Sequence, residues 1–116
     1  MWIATEHGWF SIVTSSENRR QMLVRARDRH HLDNILQYMD WRAKYEIIDT
    51  PSNDYPYRII VERDDATNMI SDMAEDIDYS NFKEHVGETH GHRSAYMDFL
   101  HDVWARARRL TGTSVR

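Results

Sequence analysis

The sequence predicts an α+β protein: a four-stranded antiparallel sheet in ββαββα order, ferredoxin-like but permuted, with extra C-terminal helices. Two observations predict it. Apolar residues alternate with polar ones in the segments read as strands, which places one apolar face on a core. Segments after the second and fourth strands instead carry apolar residues at i, i+3, i+4 and i+7, the spacing of one helix face. Moving the first strand to the end of that order gives βαββαβ, the ferredoxin-like arrangement.

Residues 2–14 read as the first strand, with a break near Gly8. Phe10 and Ile12 share one face, and Trp9, Ser11 and Val13 the other. Residues 15–20 are polar and form the hairpin loop. In the second strand Met22, Val24 and Ala26 alternate with Leu23, Arg25 and Arg27. Asp28 supplies an N-cap for a helix over 29–39, whose stripe is Leu32, Ile35, Leu36 and Met39. Residues 45–50 read as a short third strand, followed by turn chemistry at Pro51-Ser52-Asn53-Asp54. Tyr57, Ile59 and Val61 alternate with Arg58, Ile60 and Glu62 in the fourth.

Asp64 or Asp65 is expected to cap the second helix, with the stripe Ala66, Met69, Ile70, Met73 and Ile77. Ser80 or Asn81 then caps a short helix carrying Phe82 and Val86, interrupted from Gly87 to Gly91. A last helix runs from about His92 to Leu110. Ala95, Tyr96, Phe99, Leu100, Val103, Trp104 and Ala107 line it with a broad apolar stripe that must be buried somewhere. The expected organisation is a single α+β domain over 1–116. Its ββαββα core spans 1–79, its C-terminal helices 80–110 and a frayed tail 111–116.

At 116 residues with no cysteine, the chain is long enough for a core without staples. Disulfides, thiolate metal sites and thiol nucleophiles are excluded. The opening residues lack the basic region and apolar run of a signal peptide, and no stretch reaches the ~18 apolar residues of a membrane span. The expectation is a cytoplasmic protein that meets no membrane. The net charge of −4 argues against bulk nucleic-acid binding.

Several runs together resemble a family of small proteins of actinobacteria and their phages for which no activity is established. They are Met1-Trp2-Ile3 with His7-Gly8-Trp9-Phe10-Ser11-Ile12-Val13, Leu23-Val24-Arg25-Ala26-Arg27 and Thr50-Pro51. Asp54-Tyr55-Pro56-Tyr57-Arg58, Asp76-Ile77-Asp78-Tyr79-Ser80-Asn81-Phe82-Lys83, and Ala95-Tyr96-Met97 before Trp104 complete the set. The resemblance implies a small cytoplasmic accessory protein and transfers no catalytic residues. The His90-Gly91-His92-Arg93-Ser94 segment departs from the family pattern, in which an Arg-His pair precedes the Ala-Tyr.

Three constellations carry candidate chemistry. His85, His90 and His92 stand at H-x4-H-x-H spacing beside Glu84 and Glu88, a donor set suited to zinc or another divalent transition metal. Asp72, Glu75, Asp76 and Asp78 gather acids on the polar side of the second helix. They form an interaction face, or carboxylates for a magnesium ion. Arg25, Arg27 and Arg58 gather basic residues on one sheet face near Tyr55 and Tyr57. Single-stranded RNA readers combine such a face with aromatic stacking. The paired aromatics that requires are not evident in the sequence, since Tyr57 alternates with Arg58 onto the opposite face. The plainer account gives those arginines cross-strand partners in Glu46 and Glu62.

The leading functional expectation is a non-enzymatic accessory protein working by protein–protein interaction, with a protein partner or a second copy of itself as a homodimer. No cofactor and no catalytic residue are expected, and nucleic acid is disfavoured as a partner. The alternatives are a metal-dependent hydrolase using His85, His90 and His92, and a phage-type inhibitor whose acidic helix mimics nucleic acid.

Overall fold

A computed structural model describes residues 1–112. The chain divides into two compact units, Met1–Ile77 and Asp78–Arg116. The first holds a five-stranded antiparallel sheet and two helices. Its elements are β1 (Trp2–Thr5), β2 (Gly8–Thr14), β3 (Gln21–Ala26), α1 (Arg29–Tyr38), β4 (Ile48–Asp49), β5 (Tyr57–Glu62) and α2 (Arg63–Glu75). The second holds α3 (Phe82–His90) and α4 (Ala95–Gly112).

The sheet has five strands where four were expected, because residues 2–14 are a hairpin rather than one strand. Its order is β1-β2-β3-β5-β4. The turn falls at Glu6-His7, between the paired residues Thr5 and Gly8. The Thr5 hydroxyl organises it, accepting the N–H groups of His7 and Gly8 and donating to the Gly8 carbonyl. β4 is shorter than the expected strand over 45–50. Tyr45 instead closes a turn on the Trp41 carbonyl, and only Ile48 and Asp49 pair with β5.

One face of the sheet carries the core. Phe10 and Ile12 from β2, Val24 and Ala26 from β3, and Ile59 and Val61 from β5 are buried against Leu32, Ile35 and Leu36 of α1 and Ala66, Met69 and Met73 of α2. Period two in the strands and the 3.6-residue period in the helices thus converge on one apolar layer. Asp28 caps α1 as expected, its carboxylate accepting the His30 N–H at 2.9 Å.

The expected Asp64 or Asp65 cap of α2 is not formed. The cap lies two or three residues earlier, at Glu62, with the helix beginning at Arg63 and no side-chain cap bond. Both aspartates then lie inside the first turn, where negative charge complements the helix dipole. Asp65 is also engaged elsewhere, accepting from the Tyr45 hydroxyl and from Lys44 Nζ at 2.7 Å. Those two hydrogen bonds, Lys44 first, hold the Asp65 carboxyl below its ordinary range. A depressed carboxylate pKa contributes stability above the unfolded-state value, which is lost as pH falls through the folded value. Asp65→Asn is therefore expected to flatten the acid limb of a plot of urea midpoint against pH. An unchanged acid limb would show that this triad adds nothing to folding.

In the second unit Asn81 caps α3, its side chain accepting the Glu84 N–H at 3.0 Å. The expected interruption from Gly87 to Gly91 is not present; α3 runs through Gly87 and ends at Gly91, whose φ is 101°. Gly87 is buried because the His92 ring lies against it: an added Cβ would come within 2.7 Å of His92 Cδ2. In α4 only Tyr96 and Leu100 of the broad stripe are buried, and Val103 and Trp104 are exposed. Thr111 and Gly112 continue the helix, and residues 113–116 of the expected frayed tail lie outside the described residues.

Candidate functional site

Directly paired residues in an antiparallel sheet point to the same face. The register therefore builds a row across the face opposite the core: Trp2 opposes Ser11, Ser11 opposes Arg25, Arg25 opposes Arg58, and Arg58 opposes Ile48. Arg27 stands two residues beyond Arg25 and Trp9 two before Ser11, so both share this face.

Arg25 and Arg58 are thus neighbours on adjacent strands, a like-charge pairing that disfavours the sheet. Their local partners are neutral. Arg25 Nη2 donates to Ser11 Oγ at 2.7 Å, and Arg58 Nη2 donates to the Tyr55 carbonyl at 3.3 Å. The buried Tyr55 ring lies 4.8 Å from the Arg25 guanidinium carbon and 4.9 Å from that of Arg27. Cation–π attraction of this kind contributes about 0.5–2 kcal/mol. It offsets part of the repulsion without supplying a negative charge. The Nε atoms of Arg25 and Arg58 are buried and have no hydrogen-bond partner among the described residues.

The carboxylates expected to neutralise these arginines do not reach them. Glu46 lies outside the strands, and Glu62 opposes Gln21, four residues along β5 from Arg58 and hence roughly 13 Å away. Ion pairs among the described residues include Arg29–Asp49, Lys44–Asp65 and, when its ring is protonated, His31–Asp28. None involves Arg25, Arg27 or Arg58. The three predicted basic residues are brought together, with their charge unopposed.

The aromatic pair missing from the sequence reading is also on this face. The β1–β2 hairpin sets Trp2 beside Trp9, with ring centroids 5.7 Å apart, and Trp2 remains 70% exposed. A single strand over 2–14 would put these rings seven residues apart, on opposite faces. The signal that finds them is Gly8: a glycine inside an alternating strand, preceded by polar residues, marks a turn as readily as a bulge.

The other predicted sites are dispersed. His85 stacks on Tyr79 with centroids 4.4 Å apart, His90 meets Tyr96 edge-on at 5.1 Å, and His92 rests on Gly87. Among the described residues no group of three His, Asp or Glu side chains is placed to hold a metal ion. The expected loop chelate is replaced by a helix whose imidazoles have separate neighbours. Asp72, Glu75 and Asp76 are exposed at the end of α2, and Asp78 begins the second unit. Asp76 accepts a hydrogen bond from the Tyr38 hydroxyl. Burial, followed by that hydrogen bond, pushes the Tyr38 hydroxyl above its ordinary range. A surface cleft lined by Arg19, Arg20, Glu62, Arg63 and Asp64 mixes charges, and Arg63 is spent on the Arg19 carbonyl and the Thr14 hydroxyl.

No helix among the described residues is long and apolar enough to cross a membrane. Comparison with family models, with curated proteins and with solved structures finds no match.

Proposed function

We propose that this protein is a non-enzymatic binding module whose working surface is the sheet face opposite the core, and that an anionic group is what it recognises. One observation carries the reading: Arg25 opposes Arg58 across adjacent strands, and among the described residues no carboxylate is paired to either. A guanidinium presents a planar fork of donors suited to carboxylate and phosphate oxygens. An anion seated between two such groups removes their mutual repulsion and takes charge-assisted hydrogen bonds from both. Tyr55 holds two of the three guanidiniums in position beforehand, which lowers the entropy lost on binding.

The test is a titration with inorganic tripolyphosphate, followed by NMR of the arginine Nε–H groups. The resonances of Arg25 and Arg58 are expected to move together, with a Kd of about 1 mM or tighter, and the double variant Arg25→Gln with Arg58→Gln is expected to lose the heat of tripolyphosphate binding in calorimetry. Titration without movement of those resonances would overturn the reading.

A protein partner or a second copy keeps support from a separate observation. Val103 and Trp104 of α4 are 42% and 52% exposed, although Lys83 and Arg108 cover the Trp104 ring in part. Light scattering decides this reading: a monomer at every concentration would remove the homodimer.

We also read the four strands β2 to β5 as a permuted ferredoxin-like arrangement carrying β1 as an added edge. The spatial order β2-β3-β5-β4 and the antiparallel pairing support it. The metal-dependent hydrolase has no assembled ligand set among the described residues to support it, and the phage-type inhibitor rests on exposed acids alone.

A further inference from the structure

We infer that the anionic ligand is single-stranded nucleic acid, held with a phosphate on Arg25 and Arg58 and a base stacked on Trp2. This inference rests on the proposed anion-binding face and adds the identity of what is bound. Its basis is the row Trp2–Ser11–Arg25–Arg58. Neighbouring strands are about 4.8 Å apart, so Trp2 and Arg25, two strands apart, are separated by about 10 Å along the row.

A flat aromatic ring and a cationic pair at that separation match a strand whose phosphates and unstacked bases alternate. A phosphate alone makes no use of Trp2, and an acidic peptide brings a ring to it only where an aromatic residue stands beside its acids, whereas every nucleotide of a single strand carries a base beside its phosphate. Trp2 is 70% exposed, so a base reaches the ring without displacing protein. Trp9, 5.7 Å away and tilted by 52°, supports it from the same face. Ser11 keeps the Arg25 guanidinium in the row through its 2.7 Å hydrogen bond. Arg27 is exposed and extends the positive charge by one further position, over the same Tyr55 ring. A duplex keeps its bases stacked inside and offers none to Trp2, which selects the single strand.

The net charge of −4 sets the character of the interaction. Long-range attraction is weak, and binding depends on the local contacts rather than on the field of the whole protein. With two or three phosphates neutralised, log K is expected to fall against log salt with a slope of about −1.4 to −2.1, from roughly 0.7 per phosphate on a single strand.

The experiment measures fluorescence anisotropy of labelled uridine and thymidine oligomers of about eight nucleotides, within the site sizes of sheet-based single-strand binders. Inorganic tripolyphosphate serves as the base-free competitor. The full chain is used, with circular dichroism confirming that each variant is folded. Both oligomers are expected to bind more tightly than tripolyphosphate. Trp2→Ala is expected to weaken oligomer binding about tenfold or more, as loss of one base–aromatic stack does, and to leave tripolyphosphate binding unchanged. Trp2→Phe, which keeps a ring, is expected to retain most of the affinity. Arg58→Lys, which keeps the charge but not the fork, is expected to weaken both ligands.

Equal binding of oligomer and tripolyphosphate, or an oligomer affinity indifferent to Trp2→Ala, would overturn the nucleic-acid inference and leave the anion-binding face standing. Binding of neither ligand would overturn both. If uridine oligomers bind and thymidine oligomers do not, the ligand is RNA; the reverse identifies DNA.

Discussion

Gly8→Ala is expected to destabilise the first unit by about 3–5 kcal/mol, the sum of an overpacked contact and a strained backbone. A folded domain of this size holds about 5–15 kcal/mol in total, so the variant stands close to unfolding at ambient temperature. Gly8 has a φ of 153°, and a Cβ built there falls 2.3 Å from His31 Cγ and 2.4 Å from His31 Cβ. His31 has little room to retreat. It is buried, its Nδ1 accepts the Trp9 N–H at 3.2 Å, and its ring packs edge-on to Phe10 with centroids 6.3 Å apart. The glycine therefore sets both the hairpin that carries Trp2 and the seat of α1 against the sheet.

Urea unfolding of Gly8→Ala, His31→Ala and the double variant checks this. His31→Ala alone leaves the Trp9 N–H without its acceptor, at a cost of about 1–3 kcal/mol. In the double variant the clash is gone and only the backbone strain and the lost hydrogen bond remain. The two substitutions should then cost clearly less together than the sum of their separate effects, as contacting residues do. Additivity within about 0.5 kcal/mol would show that the Gly8–His31 contact does not limit stability.

Much of the first unit is legible in the sequence because one physical signal dominates each element. Asp28 before Leu32, Ile35 and Leu36 gives both the start and the buried face of α1. Val24 and Ala26, like Ile59 and Val61, alternate without interruption and reach the core as read. The errors fall where two signals compete. The stretch 2–14 continues to alternate across Gly8, so periodicity hides the turn that the glycine marks. Asp64 and Asp65 look like caps by residue type, but the helix starts as soon as β5 ends, and Tyr45 and Lys44 claim Asp65 from another part of the chain.

The candidate site divides the same way. Arg25, Arg27 and Arg58 share a face by parity alone, which sequence reasoning reaches. That Arg25 opposes Arg58 rather than an acid depends on register, and register is set by the pairing of strands distant in sequence. Trp2 joins the site only through the hairpin. The His85, His90 and His92 spacing assumed a flexible loop at Gly87, yet Gly87 is accommodated in α3 and carries the His92 ring on its bare Cα.

Met69→Ala and Ile77→Ala form the second large contrast. Both residues belong to one apolar stripe by spacing, and the sequence gives no reason to rank them. Met69 is fully buried between α2 and the sheet, whereas Ile77 lies beyond the end of α2 and is 54% exposed. Truncating a buried methionine removes its transfer free energy and leaves a cavity, at about 2–5 kcal/mol. Truncating an exposed isoleucine costs about 0.5 kcal/mol or less. The reason for the divergence is visible at the helix end. Asp76 is the C-cap, its N–H bonded to the Asp72 and Ala74 carbonyls, and its carboxylate takes the Tyr38 hydroxyl. That cap stops the helix before Ile77 can complete another turn over the core, so the residue leaves the stripe that its spacing assigns it to. Chemical unfolding of the two variants separates these cases. A loss at Ile77→Ala comparable to that at Met69→Ala would mean that α2 continues past Asp76 in solution, and that the acidic end of this helix is packed rather than exposed.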